Sequence, residues 1–214
     1  ITLITRPRRF GKTLNMDMLK CFFSNQYRDQ GQLFEGLNIW KEEKYQQLQG
    51  TYPVIYLSFA DVKQTNYKDA VLKIKKIITD VYQQYIELAG WEGLTEVQVR
   101  QFQSVDPYMD DVTAQCALKD LSGYLYRYYE KKVIILLDEF DTPMQEAYLY
   151  GYWKEFTAFI RSLFNATFKT NPYLERAMMT GITRVSKESV FSGLNNLNVV
   201  TTTSTEYETC FGFS

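Results

Sequence analysis

Apolar residues fall into two patterns along this chain. Unbroken runs rich in β-branched and aromatic residues, Ile1 to Thr5, Tyr52 to Phe59 and Val133 to Leu137, end at Gly, Pro or charged positions and read as strands. Between them lie tracts whose apolar residues recur every three or four positions, the spacing of one helix face. Leu14, Met18, Leu19, Phe22 and Phe23 predict a helix directly after Thr13, and Ala70, Val71, Ile74, Ile77, Ile78, Val81 and Tyr85 predict one within Tyr67 to Leu88. Leu94 to Val105 is a weaker helix. Leu118, Leu121 and Leu125 mark Ala114 to Tyr129, and Phe156, Phe159, Ile160, Leu163 and Phe164 mark Tyr152 to Phe168. Arg176 to Thr183 and Asn198 to Thr203 read as two further strands, and Val185 to Phe191 as a short helix. Tyr27 to Gly36 reads as loop and short helix, with Phe34, Leu37 and Ile39 as packing residues.

The run from Val133 has no polar residue before Asp138, as expected of a central parallel strand covered on both faces. Strands alternating with helices predict an α/β fold in three layers. Its five-stranded sheet is mostly parallel, with right-handed crossovers and a helical insertion between the second and third strands. No repeat or linker divides the chain, so residues 1–214 are expected to form a single domain. A first residue of Ile inside a strand, rather than Met, leads us to expect a segment of a longer protein.

Charge adds little. The net charge of −1 gives no global basic field for nucleic acid or an anionic membrane. Three scattered cysteines, in no metal or redox spacing, fit a reducing cytosol, so a cytoplasmic location is expected; no stretch has spanning length. The chain has no histidine, which excludes histidine triads, imidazole bases and zinc sites that need histidine.

Chemistry concentrates in two places. Ile1 to Thr13 runs from strand through Arg6, Pro7, Arg8, Arg9 and Phe10 to Gly11, Lys12 and Thr13 at a helix start, with Leu14 next. In the phosphate-loop pattern G-x-x-x-x-G-K-[ST], glycine lets backbone approach phosphate, lysine places charge between β and γ oxygens, and the hydroxyl ligates Mg²⁺. The helix N-terminus adds unpaired amides facing the anion, here those of residues 9–13. The first glycine of the pattern is replaced by Arg6, so the match is degenerate, and alone it also reads as a basic turn. The three arginines read as phosphate ligands, partner surface or solvated charge, with Arg8 or Arg9 near phosphate preferred.

The second place is the end of the apolar strand at Asp138 and Glu139. ATP-hydrolysing phosphate-loop domains put an aspartate there for Mg²⁺ and a glutamate beside it to polarise water. Glu139 favours ATP over GTP hydrolysis. The spacing fits a strand order of 5-1-4-3-2, in which the fourth strand ends beside the γ-phosphate. Thr180, Thr183 and Arg184 are candidates for sensing it; the threonines also read as plain strand formers, and Arg184 as an ion-pair partner. Asp141 reads either as an acid supporting Asp138 and Glu139 from behind or as a simple loop residue, the latter preferred, and Thr142-Pro143 as the close of that loop.

The stretches TRPRRFGKTLN, VIYLSF, KKVIILLDEFDTP, TGITRVSKESVFSGLNNL and FGFS, in this order, resemble the AAA-ATPase-like family of bacterial proteins over essentially the whole chain. The resemblance accounts for Arg6, since that family's loop reads RPRRFGKT. It implies a nucleotide-binding domain of the additional-glutamate class, with ATP and Mg²⁺ as cofactors. In larger members it also implies a C-terminal PD-(D/E)XK nuclease-like domain, through which nucleic acid would be met only indirectly. No membrane contact is expected, and an oligomer is allowed. The expected function is a slow ATPase acting as a conformational switch. The alternative is a nucleotide- or anion-binding scaffold without turnover.

Overall fold

The computed structural model describes residues 1–182, 190–191, 194, 196–207 and 210–211. Its elements in chain order begin with β1 (Thr2–Thr5), α1 (Lys12–Phe23), the single turn α2 (Glu43–Gln46) and β2 (Val54–Ser58). There follow α3 (Tyr67–Gln83), α4 (Glu96–Gln103), α5 (Asp111–Tyr129) and β3 (Val133–Asp138). The last are α6 (Thr142–Leu149), α7 (Trp153–Phe164), β4 (Leu174–Gly181) and β5 (Asn198–Val200). The strands form one sheet in the order β2-β3-β4-β1-β5, and every pair is parallel. Counted from the β5 edge this is the expected 5-1-4-3-2, and the sheet is wholly rather than mostly parallel.

The two faces of β3 show why its sequence is apolar throughout. All six residues are buried. Side chains alternate along a strand, so Val133, Ile135 and Leu137 join the core built by α3, α5 and α7, while Ile134 and Leu136 pack with Met16 of α1 on the other face. The helical insertion between β2 and β3 supplies α3 to α5. Asn66, Thr95 and Asp110 begin these helices by accepting backbone amides from Asp69, Gln98 and Thr113.

Several local expectations are corrected. Leu14 and Met18 do not face the core; they are 65% and 43% exposed. The inward stripe of α1 is Met16, Leu19, Phe22 and Phe23, because the helix already starts at Lys12 and its rotation is set by Met16 against β3. Leu37 is likewise exposed, whereas Phe34 packs against Phe22 and Trp40. Thr142 and Pro143 close the loop as expected, and do so by opening α6. Proline is well placed in a first helical turn, where its missing N–H has no partner to lose. The expected helix from Tyr152 to Phe168 is α7 followed by a π-helical turn, Asn165–Lys169. The expected helix from Tyr67 ends as α3 at Gln83, before a 3₁₀ turn at Ile86–Gly90. The last strand stops at Val200, where the hydroxyls of Thr201, Thr203 and Ser204 begin a turn. Thr183, Arg184 and most of the expected helix of Val185 to Phe191 lie outside the described residues.

Candidate nucleotide site

The ends of β1, β3 and β4 meet at one edge of the sheet. Beyond β1, the Arg6 amide continues the ladder to the Gly181 carbonyl at 3.2 Å, and the chain then turns into α1. Two residues with positive φ make that turn, Arg9 at 66° and Gly11 at 73°. Gly11 is the residue just before α1, and an L side chain there would be strained in the left-handed region. Arg8 and Arg9 are exposed, Phe10 is half-buried and Leu14 is solvent-facing.

Lys12 is buried, and its ammonium donates to the carbonyls of Arg6 at 3.0 Å and Pro7 at 2.9 Å. Burial pushes its pKa down from the ordinary lysine value. The negative charges of Glu139, Asp138 and Asp141 oppose that shift, and Arg8 adds to it. The lysine thus lies within the field of all three acids.

Thr13 joins the two halves of the site. Its hydroxyl donates to Asp138 Oδ2 at 2.7 Å across 125 positions of sequence. The other oxygen of Asp138, Oδ1, accepts a close hydrogen bond from the Thr180 hydroxyl. That same hydroxyl accepts the Glu139 amide at 3.2 Å, and the Thr180 carbonyl accepts the Phe140 amide at 3.0 Å. Thr180 is fully buried and therefore fastens the acid pair to β4. Glu139 adopts a left-handed φ of 50°, and its Oε2 accepts from the Thr142 hydroxyl at 3.1 Å. Tyr56 on β2 is pushed up to about 12 by burial, with the charges of Asp138 and Asp17 adding to the effect.

Of the two readings of Asp141, the structure favours the supporting acid over the preferred simple loop residue. Asp141 is fully buried, and its Oδ2 accepts the Ile182 amide at 2.9 Å and the Gln145 side chain at 3.1 Å. A Cβ on Gly181 would lie 2.7 Å from Asp141 Oδ1 and 2.6 Å from the Phe140 ring, so glycine is needed there for the acid loop to approach β4.

Of the residues singled out from the sequence, Lys12, Thr13, Asp138, Glu139 and Thr180 are brought together. Three further residues contribute in ways the sequence reading did not assign. Arg6 is buried and donates to the Thr5 carbonyl at 3.2 Å, Asn15 donates to the Gly11 carbonyl at 3.0 Å, and Thr142 holds Glu139. Only the Asp141-Thr142-Pro143 string, a helix-start pattern, gave a signal for the last. Among the described residues no group of three or more His, Cys, Asp or Glu is arranged to hold a metal ion, and no helix is long and apolar enough to cross a membrane.

A family model described as Predicted AAA-ATPase matches residues 1–191. A curated relative called "Uncharacterized protein in vnfD 5'region", from Azotobacter chroococcum mcd 1, is 25% identical over 212 residues; these cover 99% of this chain and 36% of that protein, so the chain spans little more than a third of the relative's length. No solved structure matches. A match from the first strand past the end of the fourth, on a parallel sheet that sets a lysine-bearing loop against an acid pair, places the chain in the predicted AAA-ATPase family, a membership that points to nucleotide binding.

Proposed function

We propose that this chain is an ATP-binding, Mg²⁺-dependent unit of a longer protein, hydrolysing ATP slowly and using the cycle as a conformational switch. The observation that carries the reading is the 2.7 Å hydrogen bond between Thr13 and Asp138, which brings together the hydroxyl and the carboxylate that such a site requires. Both are hard oxygen donors, as Mg²⁺ prefers, and two protein ligands suffice for an ion that takes its remaining ligands from water and phosphate. When bound, the ion would neutralise charge on the phosphate oxygens.

The chain's own residues supply the rest. Lys12 leaves its two carbonyl partners for β and γ oxygens, and the amides of residues 9–13 cradle the anion, with Arg8 and Arg9 adding positive charge. Glu139 takes a proton from the attacking water as the water oxygen bonds to the terminal phosphorus and the bond to the bridging oxygen breaks, releasing ADP. Thr180 keeps Asp138 and the Glu139 backbone in register, and Arg184 is a candidate to meet the γ-phosphate. A thermal-shift titration with ATP, GTP and a non-hydrolysable analogue, with and without Mg²⁺, tests binding; a midpoint that rises with Mg²⁺-ATP is expected, because a ligand of the folded state stabilises it. No rise with any of them would end the nucleotide reading.

A second reading, a scaffold that binds nucleotide without turnover for a nuclease-like or nucleic-acid-binding partner domain, draws on one observation. The Lys12 ammonium is satisfied within its own loop. Phosphate release measured beside affinity separates the two: binding with no release identifies the scaffold.

A further inference from the structure

We infer that Phe211 and the backbone at Cys210, reached by the chain after β5, form the nucleobase side of the site, and that Phe211 stacks on the base. The inference rests on the nucleotide reading above and goes beyond it, since nothing in the phosphate loop or the acid pair says where the base lies.

The direction comes from α1. Successive residues of an α-helix are rotated by about 100°, so Asn15 stands about 200° round from Thr13. Thr13 faces Asp138 and marks the terminal-phosphate end. Asn15 faces the other way, and its Nδ2 donates at once to the Gly11 carbonyl at 3.0 Å and to the Cys210 carbonyl at 3.1 Å. A nucleotide whose last phosphate lies between Thr13 and Asp138 must run along the loop away from β3. The wall it meets there is the segment that carries Cys210.

That segment is fastened at both ends of the phosphate loop. At the loop's start, the Arg6 guanidinium carbon lies 5.9 Å from the centre of the Phe211 ring, and the strand from which the segment departs is held by the Thr5 hydroxyl, which donates to the Val200 carbonyl at 3.4 Å. At the loop's end stands the bond from Asn15 to Cys210. Phe211 is half-buried, so its ring is neither lost in the core nor free in solvent.

The chemistry suits a base. An aromatic ring offers stacking to any base and most to a large purine, and a guanidinium behind the ring holds it in orientation by attraction to its face. Arg6, which occupies the place of the missing first glycine, thus has a use: its buried charge braces the ring.

The test compares ATP with inorganic tripolyphosphate, which shares the charge but lacks the base, on wild type, Phe211→Leu and Phe211→Trp, with Lys12→Ala as control. Loss of aromatic stacking in Phe211→Leu should weaken ATP by about 5- to 150-fold while leaving tripolyphosphate unchanged, and Phe211→Trp should retain ATP. Unchanged tripolyphosphate affinity also shows that the variant is folded. Equal loss of both ligands, or no loss of ATP, overturns the inference while leaving the phosphate site in place. Wild type that binds neither ligand removes the nucleotide reading, and this inference with it.

Discussion

Thr13 and Asp138 lie 125 positions apart in the chain and 2.7 Å apart in space, the first opening α1 and the second ending β3. This bond requires the β1 loop and the β3 end to lie on the same edge of the sheet, which the order β2-β3-β4-β1-β5 provides by placing only β4 between them. The proposed division of labour between binding and turnover can be tested on either side of it. Lys12→Ala should abolish nucleotide binding in a thermal-shift titration. Glu139→Gln should keep binding and stop phosphate release, because an amide cannot accept the proton of the attacking water; undiminished release would remove Glu139 from its role.

Thr180 donates to one carboxylate oxygen of Asp138 and accepts the amide of Glu139. Thr180→Val keeps the shape and removes both bonds, leaving a buried carboxylate short of a donor, at a cost of about 1–3 kcal/mol. Thr180→Ser should restore most of the loss. Chemical denaturation of the two variants measures the difference, and equal stability of valine and serine would show that the hydroxyl is immaterial.

Gly181→Ala introduces a methyl group 2.6 Å from the Phe140 ring and 2.7 Å from Asp141. The acid loop must then shift away from β4, at a cost of about 1–3 kcal/mol for overpacking. Because that loop carries Glu139, phosphate release should fall further than affinity does. A variant as stable and active as wild type would show that the loop yields freely.

Alkaline pH should weaken the fold through its buried and half-buried tyrosines. Burial raises Tyr56 and Tyr67 from 10.0 to about 12, and raises Tyr82 and Tyr85 as well. Below pH 10.0 these phenols are neutral whether the chain is folded or unfolded, and their stabilisation is complete. As pH rises from there through about 12, the unfolded chain ionises first and stability is lost. The Tyr85 hydroxyl donates to the Val54 carbonyl at 2.7 Å, so Tyr85→Phe should cost about 1–3 kcal/mol at neutral pH and reduce the alkaline loss. Denaturation midpoints between pH 8 and 12, read with tyrosinate absorbance, check both effects.

The sheet was legible wherever a strand's surroundings were uniform. Val133 to Leu137 is apolar at every position because both faces of β3 are covered, and a continuous apolar run is readable without further context. Rotation of α1 was not legible. Leu14, Met18 and Leu19 keep helical spacing as well as Met16 does, and only contact with Ile134 and Leu136 decides which stripe turns inward. The same limit hid Asp141. An acid two places past Glu139 is ordinary in sequence, and its burial depends on β4 offering the Ile182 amide and a glycine at 181. Lys12, Thr13, Asp138 and Glu139 could be picked out because each answers a chemical demand with a fixed neighbour. Asn15 answers a demand made by the distant Cys210 carbonyl, which no local pattern records, and the burial of Arg6 is not distinguishable in sequence from solvated charge.

The bonds from Lys12 to the carbonyls of Arg6 and Pro7 bear on selectivity. A side chain already satisfied by two acceptors gains nothing by exchanging them for the neutral oxygens of a sugar or an amide. These bonds already have an ionised donor, and an acceptor carrying full negative charge adds ion–ion attraction to them, which a neutral oxygen does not. On the proposed nucleotide reading, this arrangement works as a threshold that a polyanion can cross and an uncharged metabolite cannot.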